Sequence, residues 1–281
     1  MPDRDNLPVV ESRRELDRLI QEASGARERV HSPLVFRGLS SSSYSNVCSL
    51  ARLVGDYVQL ERHLIRNFRK YAHREQPGPT VWDWLSLAQH HGLPTRLLDW
   101  TFSPLVALHF ATALLPDEEA VLWAVDCDRA HERLPERYQR ALADEGATVF
   151  TTGMLAEQAP NLTRFDADSG EDPFVLFFEP PSLNQRIVNQ SAVLSAIADP
   201  SASMDAWLDR HPDVWHAWRL PPPVKREVRE YLDQANVTER VLLPGLDGLA
   251  AWLRRYYSPS ASRDDEGGAS MSAPAAGQGA A

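Results

Sequence analysis

The sequence predicts an α+β fold, on three observations. Three short apolar runs, AVLWAV from Ala120, FVLFF from Phe174 and AVLSAIA from Ala192, have the length and content of buried strands. Other segments repeat apolar residues at intervals of three and four, as amphipathic helices do. The two kinds of segment are mixed without strict alternation or internal repeat, which argues against a parallel βαβ fold.

Taken in order, Ser12 and Glu15 form a capping box before a helix with apolar positions Leu16, Leu19, Ile20 and Ala23. A strand follows Pro33, from Leu34 to Phe36, and ends on Arg37 and Gly38. From Asp56 to Ala72 the positions Tyr57, Leu60, Leu64, Phe68 and Tyr71 recur at helical spacing. Thr80 caps a helix that packs Val81, Trp84, Leu85 and Ala88 and stops at Gly92. Thr95 to Trp100 reads as a strand running into a helix with Ser103 as N-cap and Pro104 as its first residue. After the break at Pro221, Pro222 and Pro223 come helices from Val224 to Ala235 and from Leu246 to Tyr257. Residues 258–281 lack the apolar content needed to offset ordering entropy, and disorder is expected there. The expected division is a helical lead-in over 1–32, one domain over 33–257, and that tail.

The 281 residues suffice for a sizeable core, and 43% hydrophobic with 24% charged content is that of a globular protein. With 29 basic and 39 acidic residues, the net charge of −10 excludes broad attraction to nucleic acid or anionic membrane. A local basic groove stays open, because Arg62, His63, Arg66, Arg69, Lys70, His73 and Arg74 fall close together; a solvated helix face is the alternative. Cys48 and Cys127 have no metal or disulfide spacing and suit a reducing compartment. The charged N-terminus lacks a secretory pattern and no stretch has transmembrane length, so a cytoplasmic protein without membrane contact is expected. His90 and His91 point about 100° apart on a helix, with no i, i+4 histidine, and no metal site is expected.

Candidate site residues gather at two places. Asp99, Thr101 and Ser103 fall where a strand meets a helix N-terminus, a setting that favours anions, though they would equally close a turn and cap a helix. Arg37 ends a buried-looking strand beside Gly38, whose bare backbone permits close approach.

Phe36-Arg37-Gly38, the block LAQHHGLPTRLLDWTFSPLVALHFA, NQRIVNQSAVLS from Asn184 and LLPGLDGLA from Leu242 together resemble the FRG-domain family, over roughly Pro33 to Leu253. That resemblance implies a bacterial or phage protein near defence or toxin genes, with an immunity partner as one expected contact. A weaker resemblance is to toxin-type ADP-ribosyltransferases, carried by Arg37 on the first strand, Thr101-Phe102-Ser103 before a helix, and Gln190 just before a strand. It implies a split, mixed or antiparallel sheet flanked by helices, NAD as substrate, no metal, and DNA, RNA or protein as acceptor.

On that reading Arg37 clamps the pyrophosphate with its planar fork, Gly38 letting the ligand approach, and Thr101 or Ser103 orients Arg37 or bonds the ribose. Gln190 binds the ribose 2′-hydroxyl, but an amide is no base, so Asp99 or Glu61 would have to supply one. Tyr44 or Tyr57 would stack on nicotinamide, with Trp82 and Trp100 flanking the cleft. Structural roles are open as well: Arg37 paired with the Asp99 carboxylate, Gln190 satisfying backbone groups at a strand end, and Arg96 and Arg186 as scaffold or surface residues. NAD hydrolysis and a non-catalytic nucleotide- or partner-binding module are the alternative functions.

Overall fold

The computed structural model describes residues 6–25, 32–53, 55–170 and 172–258. Apart from Ser258, the expected C-terminal tail lies outside them.

Capping chemistry starts the helices where the sequence predicts. Ser12 accepts from the Glu15 amide at 3.2 Å and opens α1 (Arg13–Ser24). Thr80 and Asp83 form a reciprocal capping box at α3 (Val81–His90), and Ser103 caps α4 (Pro104–Thr112). Asp56 caps α2 (Tyr57–Tyr71), but the buried face of α2 departs from expectation. Glu61 and Ile65 are buried, whereas Leu60 and Tyr71 are exposed. The cause is Arg96, 1% exposed, which grips the Glu61 carboxylate at 2.6 to 3.1 Å and also holds Asp166. Burying a carboxylate this way requires such a partner, and a helical wheel does not show one.

Seven strands form one sheet: β1 (Leu34–Leu39), β2 (Leu98–Thr101), β3 (Ala120–Asp126), β4 (Phe150–Thr151), β5 (Val175–Glu179), β6 (Ala192–Ile197) and β7 (Trp215–Leu220). The order is β4-β5-β6-β2-β1-β3-β7, with β4 and β5 parallel and the other neighbours antiparallel. The architecture is therefore α+β with a mixed sheet flanked by helices. β1 is longer than expected and includes Arg37 and Gly38. β2 starts three residues late, because Thr95 Oγ1 accepts from the Leu97 amide and Arg96 turns away to Glu61. The central seam is thin: β1 and β2 are in register only at Phe36 and Thr101, while β1 and β3 pair from Leu34 through Leu39.

Alternate residues of each strand face opposite layers. Val35, Val193 and Phe177 face one layer, which also holds Cys127 and Ala130 of α5 (Cys127–His131). Between β3 and β5 the chain also forms α6 (Glu136–Glu145), α7 (Thr152–Gln158), which follows β4, and α8 (Leu162–Ala167). Between β5 and β6 lies α9 (Gln185–Asn189), and α10 (Met204–Arg210) brings Trp207 and Leu208 to the first layer. Three further helices close the chain: α11 (Pro222–Gln234), α12 (Glu239–Leu242) and α13 (Leu246–Tyr257). Pro222 and Pro223 begin α11 instead of preceding it, as suits a proline at a first helical turn.

On the opposite face, α1, α4 and α11 cover Leu34, Phe36 and Leu122, while α3, α7 and α8 cover Leu176, Phe178 and Leu194. Trp82 sits in the latter core, fully buried, with its indole N–H on the Ala159 carbonyl, away from any cleft. Between these two helical groups the thin seam of the sheet is left open, and Asp99 on β2 is exposed there. Two buried devices tie distant segments together. His131 donates from Nδ1 to the Thr148 carbonyl and accepts at Nε2 from the Phe177 amide. Lys225 of α11, 2% exposed, lies within 2.6 to 3.1 Å of the carbonyls of Ser40, Leu114, Leu115 and Glu118.

Candidate functional site

A cleft of about 220 Å³ opens at the seam, lined from β1 by Phe36, Arg37 and Gly38, from β2 by Asp99, Trp100 and Thr101, and from α4 by Val106, Ala107 and Phe110. Arg186, Gln190 and Ala192 close the other side. Five of the residues expected at a site, Arg37, Gly38, Asp99, Thr101 and Gln190, are thus brought together from three separate segments.

Arg37 crosses the seam. Its Nη1 donates to the backbone carbonyl of Asp99 at 2.6 Å, and its buried Nε has no hydrogen-bond partner among the described residues. Burial pushes the guanidinium pKa down from its ordinary value, and the Asp99 charge opposes that shift. The expected structural alternative, a pair with the Asp99 carboxylate, takes a different form: the carboxylate instead accepts from Gln89 Nε2 at 2.9 Å. Gly38 serves packing. A Cβ there would lie 1.9 Å from the Ala107 carbonyl oxygen, so the missing side chain is what seats α4 on β1.

Thr101 Oγ1 donates to the Gln190 carbonyl at 2.6 Å and accepts from the Ser103 amide at 3.0 Å. Gln190 caps α9 two residues before β6, and its Nε2 donates to the Leu242 carbonyl at 2.9 Å. That bond leaves the amide oxygen as its acceptor. Ser103 holds the Val106 amide at the N-terminus of α4 and does not line the cleft. Tyr44, 49% exposed, lies outside it too, as do Tyr57 and Glu61. Trp100 does line it, with its indole N–H fixed on Ser195 Oγ.

Arg186, expected as a scaffold or surface residue, lines the cleft on α9, and no hydrogen bond or ion pair joins its side chain to another described residue. Its charge is felt next door: burial first, then Arg186, then His91 lower the pKa of His90, whose Nε2 accepts from Asn184 Nδ2. Arg37 and Arg186 both line the cleft, and Asp99 is the single carboxylate among its lining residues. Arginines at a partly apolar pocket suit a phosphorylated ligand. Among the described residues, no group of three or more histidine, cysteine or acidic side chains is arranged to hold a metal. No described helix is long and apolar enough to cross a membrane.

Fold and cleft define an α+β protein with an arginine-lined pocket at the seam of a mixed sheet. Residues 32–119 match the family model for the FRG domain, and the chain carries an FRG domain. The matched stretch runs from just before β1 to just before β3, so it includes Arg37, Gly38, Asp99 and Thr101, while Arg186 and Gln190 lie beyond it. No curated protein and no solved structure matches the chain.

Proposed function

We propose that the cleft binds the pyrophosphate of NAD between Arg37 and Arg186, and that the protein acts on the nicotinamide–ribose bond as an ADP-ribosyltransferase-like enzyme. The observation that carries this is the pair of arginines lining one cleft: among the described residues the Arg186 side chain has no hydrogen-bond or ion-pair partner, and Arg37 Nε has none either. In the reaction the C1′–N bond breaks and its electron pair passes to the nicotinamide nitrogen, leaving positive charge on the ribose. An acceptor oxygen then forms the new C1′–O bond and releases its proton. Asp99, the one lining carboxylate, would stabilise the charged ribose and receive that proton. Gln190, with its amide nitrogen committed to Leu242, offers its oxygen to a ribose hydroxyl. The acceptor would be nucleic acid or protein, in the defence or toxin setting that the family resemblance implies. Water as acceptor would make the protein an NAD glycohydrolase.

The test is purified full-length protein incubated with NAD labelled separately in the nicotinamide and the adenylate, with and without DNA, RNA and lysate. Free nicotinamide is expected, with adenylate label on a macromolecule in one arm. Heat of NAD binding without nicotinamide release would reduce the site to a nucleotide-binding module. Absence of both binding and release would remove NAD from the cleft.

A further inference from the structure

Helix α2 packs one side inward, through Glu61, Ile65 and the half-buried Phe68, and turns the other to solvent. At about 100° per residue, Arg62, His63, Arg66, Arg69 and Lys70 share an arc of about 120°, and all five are exposed. The helix's only acidic residue, Glu61, is buried against Arg96. Arg62, Arg66 and Lys70 form a row spaced about 6 Å apart by the helical rise. Few of these charges are neutralised within the protein. Arg62 lies 3.6 Å from Asp166, a carboxylate already held by Arg96. Among the described residues, Arg66 meets the His63 ring nitrogen alone, and the Arg69 guanidinium lies over the Trp84 ring. In a chain of net charge −10, such a cationic face concentrates attraction at one place.

We infer that this face of α2 docks the phosphate backbone of a nucleic acid. Guanidinium forks at a regular pitch suit phosphate oxygens. Tyr71, 78% exposed at the end of the helix, lies beside this face, with the Lys70 ammonium 5.4 Å from its ring centre. A membrane surface is disfavoured, because the apolar side of α2 is turned into the core and is not free to enter lipid. The helix is joined to the cleft by packing: α2 packs on α3, whose Gln89 donates to Asp99, and on the 3-10 turn Leu50–Arg52. The inference stands whatever chemistry the cleft performs.

Fluorescence anisotropy of the full chain with labelled 20-nucleotide single-stranded RNA, single-stranded DNA and duplex DNA tests it, between 50 and 200 mM salt. Binding to at least one is expected, weakening steeply with salt. R66A/R69A/K70A should lower affinity at least about tenfold at the lowest salt and flatten the log–log salt slope by about 2 to 3, the loss of three phosphate contacts. R66A/K70A leaves Arg69 on Trp84, guards against a folding defect, and should weaken binding in the same direction. R14A/R226A, exposed elsewhere, should bind as the wild type does. No binding to any of the three nucleic acids, equal affinity in both α2 variants, or equally tight binding of polyglutamate would overturn the assignment.

Discussion

Arg37 shows how far a single side chain can be read. Because its bond is to the Asp99 backbone carbonyl, deleting the arginine does not strand a buried carboxylate, and Asp99 keeps Gln89. Arg37→Ala should therefore destabilise by about 1 to 3 kcal/mol, the cost of one charged hydrogen bond, and adding Asp99→Asn should give no recovery. Thermal melts of the single and double variants check this; a clear rescue would mean that the ion pair exists after all. His131 supports a second expectation. Burial drives its pKa from 6.5 to about 4, because both ring nitrogens are committed in the neutral form. The unfolded chain binds this proton more readily than the folded one, so stability is full above about pH 6.5 and falls as pH drops toward 4. The contribution is on the order of 3 kcal/mol. His109, lowered to about 4 by burial and then by Arg229, acts in the same direction and window. Urea melts from pH 7.5 to 4 should show the decline, and it should be shallower in His131→Gln.

At the level of elements, Gly38 and α4 make one unit. A side chain at Gly38 would meet the α4 backbone, which cannot rotate aside, so Gly38→Ala should cost about 3 kcal/mol or more. Calorimetric unfolding without ligand would measure this. A neutral substitution would show that α4 sits further from β1. Elements bounded by local chemistry were legible in the sequence: the caps at Thr80 and Ser103, and α13, whose limits Leu246 and Tyr257 are as expected. The unread ones depend on distant partners. β7 carries His216 and Arg219 among tryptophans and becomes a strand by pairing with β3, while β4 pairs only two residues with β5. The short helices α5, α7, α8 and α10 hold too few turns for a period to show. The site divides along the same line. Arg37, Thr101 and Gln190 were visible through motif order and Asp99 through its place before a helix N-terminus, whereas Arg186 reaches the cleft on the short helix α9, which no local pattern marks.

Across the whole molecule, the sheet is two well-paired blocks, β4-β5-β6-β2 and β1-β3-β7, joined by one register pair and the reach of Arg37. A ligand held by Arg37 on one block and Arg186 on the other would tie them together. Amides of β1 and β2 should then exchange hydrogen more slowly with bound NAD, while those between β3 and β7 stay unchanged; uniform protection would mean that the seam is not the mobile part. Lys225 gives this architecture another property. Four carbonyls from two separate segments surround one ammonium, an arrangement that resembles a carbonyl cage for a monovalent cation. The protein carries its cation covalently attached, so dialysis cannot strip it from this junction. Lys225→Met should expose the dependence that the lysine removes: the variant should melt lower, and potassium should restore part of the loss where lithium does not.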